Sequence, residues 1–147
     1  MRIPIASDHA GFPAKENAKT ILKSLGHDVV DLGVTNEDSV DYPDYAVLVA
    51  NAVSEGTYEK GILICGSGQG MCITANKVSN VRAALVWNVE IAELSAKHNN
   101  ANVLCLPGRF LNESELKSII EAWLATEFEG GRHDKRVQKI HSNTTRC

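Results

Sequence analysis

Short apolar runs alternate with stretches of helical periodicity along the whole of this chain, and that alternation constrains the fold more than any other feature. Arg2–Ser7 reads as a first strand. Pro13 then opens a helix, where its missing N–H does no harm. Ala14, Ala18, Ile21, Leu22 and Leu25 recur at helical spacing until Gly26 stops it. Valine-rich Asp28–Leu32 predicts a second strand. Residues 33–44 form a polar loop ending in Asp41-Tyr-Pro-Asp44, and Ala46, Val49, Ala50 and Val53 mark one face of the next helix. Gly61–Cys65 is apolar almost throughout, as a strand covered on both faces should be. A glycine-rich turn, Gly66–Gly70, leads into a helix reaching about Lys77. Arg82–Trp87 predicts a fourth strand, Val89–Lys97 a helix with Ile91, Leu94 and Ser95 inward, and Asn102–Leu106 a fifth strand. Leu116, Ile119, Ile120, Trp123 and Leu124 set out a last long helix, capped at Asn112 or Ser114 and broken at Gly130-Gly131. Strands separated by helices imply parallel pairing through crossovers. The expected fold is therefore α/β: a Rossmann-like three-layer sandwich with a five-stranded parallel sheet. One domain is expected over 1–147, with a basic segment from about residue 130 and the last dozen residues as a loose tail.

A chain of 147 residues can bury a core without staples. At 44% apolar and 22% charged, its composition favours neither disorder nor a membrane protein. The N-terminal run carries Asp8 and no long apolar region, so it does not read as a secretory signal, and a cytoplasmic location is expected. A net charge of −3 gives no global field for nucleic acid; anion binding has to come from local clusters such as Arg132, His133, Lys135, Arg136 and Lys139. Cys65, Cys72, Cys105 and Cys147 make no C-x-x-C pair, which argues against a zinc ribbon or a redox motif and predicts free thiols. Cys72 and Cys105 lie in apolar runs and read as small buried hydrophobes. No ligand cluster has convincing metal spacing, and no cofactor is expected.

Ligands of open α/β sheets bind beyond the carboxyl ends of the strands. That rule selects Ser7, Asp8 and His9 after the first strand, Cys65 through Gly70 after the third, and Pro107-Gly108-Arg109 after the fifth. The glycine loop lets backbone approach a ligand closely, and the amides that follow suit a phosphate or a developing oxyanion; as a motif it is weak, and a plain tight turn would look the same. Cys65 is either a buried structural thiol or, activated by nearby amides, a base acting on a C–H beside a carbonyl. Asp8 either caps the first helix or belongs to the site. His98 and Asn99 end a helix that runs back from the carboxyl edge, so they are capping residues or, if His98 reacts, a second subunit supplies it. Arg132 and Arg136 are a solvated basic tail or, four apart on a helix, a clamp for one phosphate.

Ser7–Phe12, Asp41–Ala46, Gly61–Gly70, Ala75–Lys77, Lys97–Asn102 and Glu129–Arg136 together resemble the type B ribose-5-phosphate isomerase family, which also includes galactose-6-phosphate isomerase subunits. The resemblance runs from about residue 2 to 140. It implies a homodimer, possibly paired into a tetramer, with sites shared between subunits, and cofactor-free interconversion of ribose 5-phosphate and ribulose 5-phosphate. Carried onto this chain, it implies Cys65 as the base between C1 and C2. Ser67 with the amides of Gly66, Gly68 and Gly70 would hold the enediolate, and His98 would open the ring with help from Asp8. Asn99 would bind sugar oxygens, Tyr42 would line the site, and His9, Arg132 and Arg136 with Arg109 would hold phosphate. Some relatives use a glutamate just past the glycine loop as base; Ile73 and Thr74 stand there, which favours Cys65. Cys72 departs from the small residue expected, and Trp87-Asn88 and Leu104–Pro107 are also less usual. Two other readings remain open: isomerisation of a six-carbon phosphate such as allose or galactose 6-phosphate, and a non-catalytic module that binds a sugar phosphate or nucleotide.

Overall fold

The computed structural model describes residues 1–144; Cys147 lies outside them. The chain runs β1 (Arg2–Ser7), α1 (Phe12–Ser24), β2 (Asp28–Asp31), α2 (Tyr42–Ser54), β3 (Gly61–Cys65), α3 (Gln69–Ala75), β4 (Ala83–Leu85), α4 (Val89–Asn99), β5 (Val103–Pro107) and α5 (Glu113–Ala125), then a 3₁₀ turn (Gly131–His133) and α6 (Asp134–Asn143). All strand pairs are parallel, in the order β2-β1-β3-β5-β4. The expected three-layer α/β sandwich is what forms.

Strand alternation divides the core. Ile3, Ile5, Ile62, Ile64, Leu104 and Leu106 face α1, α4 and α5, closed by Leu116, Ile119, Ile120 and Trp123. Ala6, Leu63, Cys65, Val103 and Cys105 face α2 and α3, closed by Val49, Val53 and Met71. β3 and β5 are buried at every position, which explains why their sequences carry no polar alternation.

Several boundaries differ from the expected ones for local reasons. α2 begins at Tyr42, inside the stretch read as loop, because Asp41 is extended and Pro43 fits the first turn. β4 is only Ala83–Leu85; it is the sheet edge, and Val86 still donates to the Cys105 carbonyl. α4 buries Ala92, Ser95 and Ala96, with Ile91 packing partly and Leu94 half-buried, since small residues let α4 and α5 pack closely. Asn112, not Ser114, caps α5, in a reciprocal box with Glu115. Of the stretch expected as a loose tail, residues 136–143 belong to α6, anchored by buried Val137, and 145–147 lie outside the described residues.

The chain turns outward from β1 to β2, then crosses back to β3. That reversal leaves a crevice between the carboxyl ends of β1 and β3, where such sheets bind ligands.

Candidate active site

The loops after β1, β3 and β5 close on this crevice. Asp8 is buried, and its Oδ1 accepts the Gly11 amide at 2.9 Å, which fixes the turn into α1. Gly11 presses on the end of β3: a Cβ there would lie 2.3 Å from the Ile64 carbonyl oxygen. His9 Nδ1 accepts the Val40 amide at 3.2 Å, so the β2–α2 loop orients the ring and leaves Nε2 free as a donor. That loop is itself tied down. Buried Lys15 donates to Asp31 at 2.8 Å and to the Val34 carbonyl at 2.7 Å, and Asp31 also receives the Gly33 amide at 3.0 Å.

Cys65 ends β3 with 4% of its surface exposed. Its carbonyl accepts the Gly108 amide at 2.9 Å, and the Gly66 carbonyl accepts the Arg109 amide at 3.1 Å, so the pairing of β3 and β5 extends past both strands. This lays the Arg109 side chain along Gly66, where a Cβ would be 3.4 Å from Arg109 Cδ. Ser67 is exposed, and its Oγ accepts the Gln69 amide at 3.4 Å. Gly68 has φ +75°, and a Cβ on it would lie 2.4 Å from Leu85 Cδ1, so the left-handed turn and the close packing both require glycine. At Gly70 a Cβ would meet the Tyr42 ring at 2.6 Å; the ring rests on the glycine loop. His9 and Arg109 face one another across an open cavity of about 400 Å³, with Glu37 on its rim.

A second cluster forms at the opposite edge. His98, in the last turn of α4, stacks on His133 with ring centroids 4.3 Å apart and planes 10° from parallel. Glu129 Oε2 lies 3.6 Å from His98 Nε2 and 3.8 Å from His133 Nε2. The Glu129 amide donates to the Lys97 carbonyl at 3.0 Å, and Arg132 Nε is 3.5 Å from His133 Nε2. Burial, then His98 and Arg132, lower the proton affinity of His133 against the opposing Glu129 carboxylate. Ligand atoms of His98, Glu129 and His133 fall within 4.8 Å of one another.

The profile of the family described as ribose/galactose isomerase matches residues 3–140. A probable ribose-5-phosphate isomerase B of Mycoplasma genitalium is 49% identical over 138 residues, covering 92% of this chain and 91% of the relative. The chain belongs to the ribose/galactose isomerase family. A crystal structure of a ribose 5-phosphate isomerase from Thermotoga maritima superposes with a TM-score of 0.94 at 45% identity, over 96% of this chain and 97% of that one. The Mycoplasma genitalium ribose-5-phosphate isomerase B, solved with bound ribulose-5-phosphate, gives 0.92 at 46% identity, over 97% and 95%.

In this isomerase the residues singled out from sequence fall into two groups. Asp8, His9, Tyr42, Cys65, Gly66, Ser67, Gly68, Gly70 and Arg109 gather at the carboxyl edge. His98, Asn99, Arg132 and Arg136 do not join them. α4 runs back against the strands, so His98 lies where β5 begins, on the order of 15 Å from Cys65 for a five-residue strand. Arg132 and Arg136 are exposed along one continuous helical run, Gly131–Asn143, beginning in a 3₁₀ turn. Glu129 was missed as a site residue, and His133 was expected only as part of a basic anion-binding cluster, not as a ring stacked on His98. The available signal was Gly130-Gly131, whose φ values of +65° and +58° turn the chain back onto α4. Among the described residues, no helix of the isomerase is long and apolar enough to cross a membrane.

Proposed function

We propose that this isomerase interconverts ribose 5-phosphate and ribulose 5-phosphate through a cis-enediolate, in a homodimer whose two copies each complete the other's site. The observation that carries the substrate is the relative solved with bound ribulose-5-phosphate, at 46% identity over nearly the whole chain. In this reading Cys65 takes the proton from C2 of the open-chain aldose and returns it at C1. The loop amides of Gly66, Gly68 and Gly70, with the Ser67 hydroxyl, offset the charge that develops on the C1 oxygen. His98 of a second copy protonates the ring oxygen as the furanose opens, and Asp8, with Asn99 of that second copy, holds sugar hydroxyls. Tyr42 walls the pocket. His9 and Arg109, with Arg132 and Arg136 of the second copy, grip the phosphate, which holds C1 and C2 against the thiolate. The separation of His98 from Cys65 within one chain supports sharing between copies. Base, acid and anion cradle supply every element of the reaction without a cofactor. The cytoplasm suits an enzyme that depends on a free thiol.

Ribose 5-phosphate turnover tests the reading, measured with and without chelator and beside allose and galactose 6-phosphates. Chelator-insensitive conversion with deuterium entering from solvent is expected. Preference for a six-carbon phosphate would replace the substrate, and binding without exchange at C2 would replace catalysis by a binding role.

A further inference from the structure

Lys15 lies in the first turn of α1 and is completely buried, an uncommon place for an ammonium group. Its amine has three N–H donors, and all three have partners: Asp31 Oδ1 at 2.8 Å, Asp31 Oδ2 at 2.7 Å and the Val34 carbonyl at 2.7 Å. Glu16 Oε1 stands 3.3 Å away. Asp31 has a second cation as well, since Lys19 donates to its Oδ2 at 2.6 Å. A buried ion pair seldom stabilises a fold more than apolar packing of the same volume. What this one adds is direction, because one of its donors goes to the backbone of a loop.

That loop follows β2 and stays on β1 for three residues more. The Leu32 amide donates to the Ile5 carbonyl at 2.8 Å and the Val34 amide to the Ser7 carbonyl at 3.4 Å. Gly33 lies so close that a Cβ on it would be 2.7 Å from Ser7 N and 3.2 Å from Lys15 Cδ. Val34 is buried, and residues 35–39 are exposed. Within the exposed run Asn36 Oδ1 accepts the Asp38 amide at 3.0 Å, which shapes a turn. The chain then comes back to the site, where the Val40 amide donates to His9 Nδ1 at 3.2 Å. The span 34–40 is thus a strap with one end on Lys15 and the other on the His9 ring.

We propose that Lys15 is a positioning residue for phosphate recognition: by holding Val34 it sets where the Val40 amide meets His9, and so where the His9 Nε2–H points. The proposal rests on the reading that His9 grips the phosphate of the substrate. Lys15 itself touches no substrate.

An amide donating to Nδ1 requires that nitrogen to be the acceptor, which leaves the proton of a neutral ring on Nε2. Once the strap is loose, the Val40 amide leaves Nδ1 and the ring is free to turn or to move its proton. A phosphate oxygen is then met by a lone pair for part of the time instead of an N–H. Cys65 and the glycine loop do not depend on the strap, because they follow β3 and are held by the backbone bonds to Gly108 and Arg109. Loss of Lys15 therefore falls on binding rather than on the proton-transfer step.

The test measures kcat and KM for ribose 5-phosphate, together with competitive inhibition by inorganic phosphate, in Lys15→Met, Val40→Pro and His9→Ala. Lys15→Met removes the donors while Lys19 still faces Asp31. Val40→Pro deletes the amide hydrogen at the far end of the strap without touching the buried pair, and so carries the test if Lys15→Met does not fold. Both are expected to raise KM and the phosphate inhibition constant about 10-fold, with kcat within about 2-fold of wild type, the pattern of lost ground-state binding. In a His9→Ala background neither should weaken phosphate further, whereas a purely structural role would multiply with it. A fall in kcat at unchanged KM, multiplied effects in the double variants, or wild-type phosphate inhibition in Val40→Pro would each overturn the proposal. Wild-type phosphate inhibition in His9→Ala would remove the phosphate role of His9, and the proposal with it; weakening in His9→Ala alone would remove only the strap. The phosphate arm reads the same site whichever sugar is the substrate.

Discussion

At the carboxyl edge of the sheet Cys65 is 4% exposed, and the groups around it are strand ends and backbone; at the opposite edge the His98 side chain is 33% exposed and is held by other side chains. The first edge is made rigid by continuation of the β3–β5 pairing into Gly108 and Arg109, and by Gly11, Gly68 and Gly70, where an added Cβ would lie 2.3, 2.4 and 2.6 Å from its neighbours. The second depends on a ring stack and on a carboxylate more than 3.5 Å from both rings. Electrostatic preorganisation is needed where charge develops during the reaction, which in the proposed mechanism is the rigid edge. The acid proposed to act once, on ring opening, would tolerate a looser mounting.

Four experiments press on this contrast. Cys65→Ala strikes the centre of the rigid edge and should lower kcat by about 10²–10⁴ while sugar phosphate binding persists, read by turnover beside calorimetric titration. Turnover close to wild type would end the assignment of the base. Gly68→Ala adds one methyl where φ is +75° and Leu85 Cδ1 stands 2.4 Å away. A loss of roughly 10- to 100-fold in kcat is expected, with KM less affected, because the anion cradle moves more than the phosphate grip. Mixing Cys65→Ala chains with His98→Ala chains asks whether the edges of different copies meet. With shared sites and free exchange, half the dimers are mixed and each holds one intact site, so about a quarter of wild-type turnover should return; no recovery would place both groups of each site on one chain.

The smallest effect is on stability alone. Burial would raise the Asp31 carboxyl, but Lys15, Lys19 and the Gly33 amide outweigh it and hold Asp31 below the ordinary carboxylate value. The stability this contributes is present above about pH 4, the unfolded value, and is lost as pH falls through the folded value. Asp31→Asn should cost about 1–2 kcal/mol at pH 7, or roughly 2–8 °C in Tm, and should flatten the acid side of the Tm–pH curve. Turnover should stay near wild type. A large drop in turnover instead would show that the His9 loop owes its position to Asp31 more directly than its contacts suggest.

The sequence revealed most where one local rule decides the outcome. Strand ends at Ser7 and Cys65 fell where expected because a buried strand is a plain apolar run bounded by turn residues. The start of α2 was read late because Asp41-Tyr-Pro-Asp44 looks like loop until proline is given its place in a first turn. α6 was hidden because its one buried anchor, Val137, is surrounded by charge. The rigid edge was legible because its groups follow strands directly. The His98–His133 stack was not, since it joins residues more than thirty positions apart and no periodicity announces it.

The backward course of α4 has a consequence for measurement. If acid and base meet only across two copies, a lone protomer is inert, and specific activity stops being a constant of the preparation. It should decline as the enzyme is diluted toward its self-association constant, with a lag on re-concentration set by how fast the halves find one another.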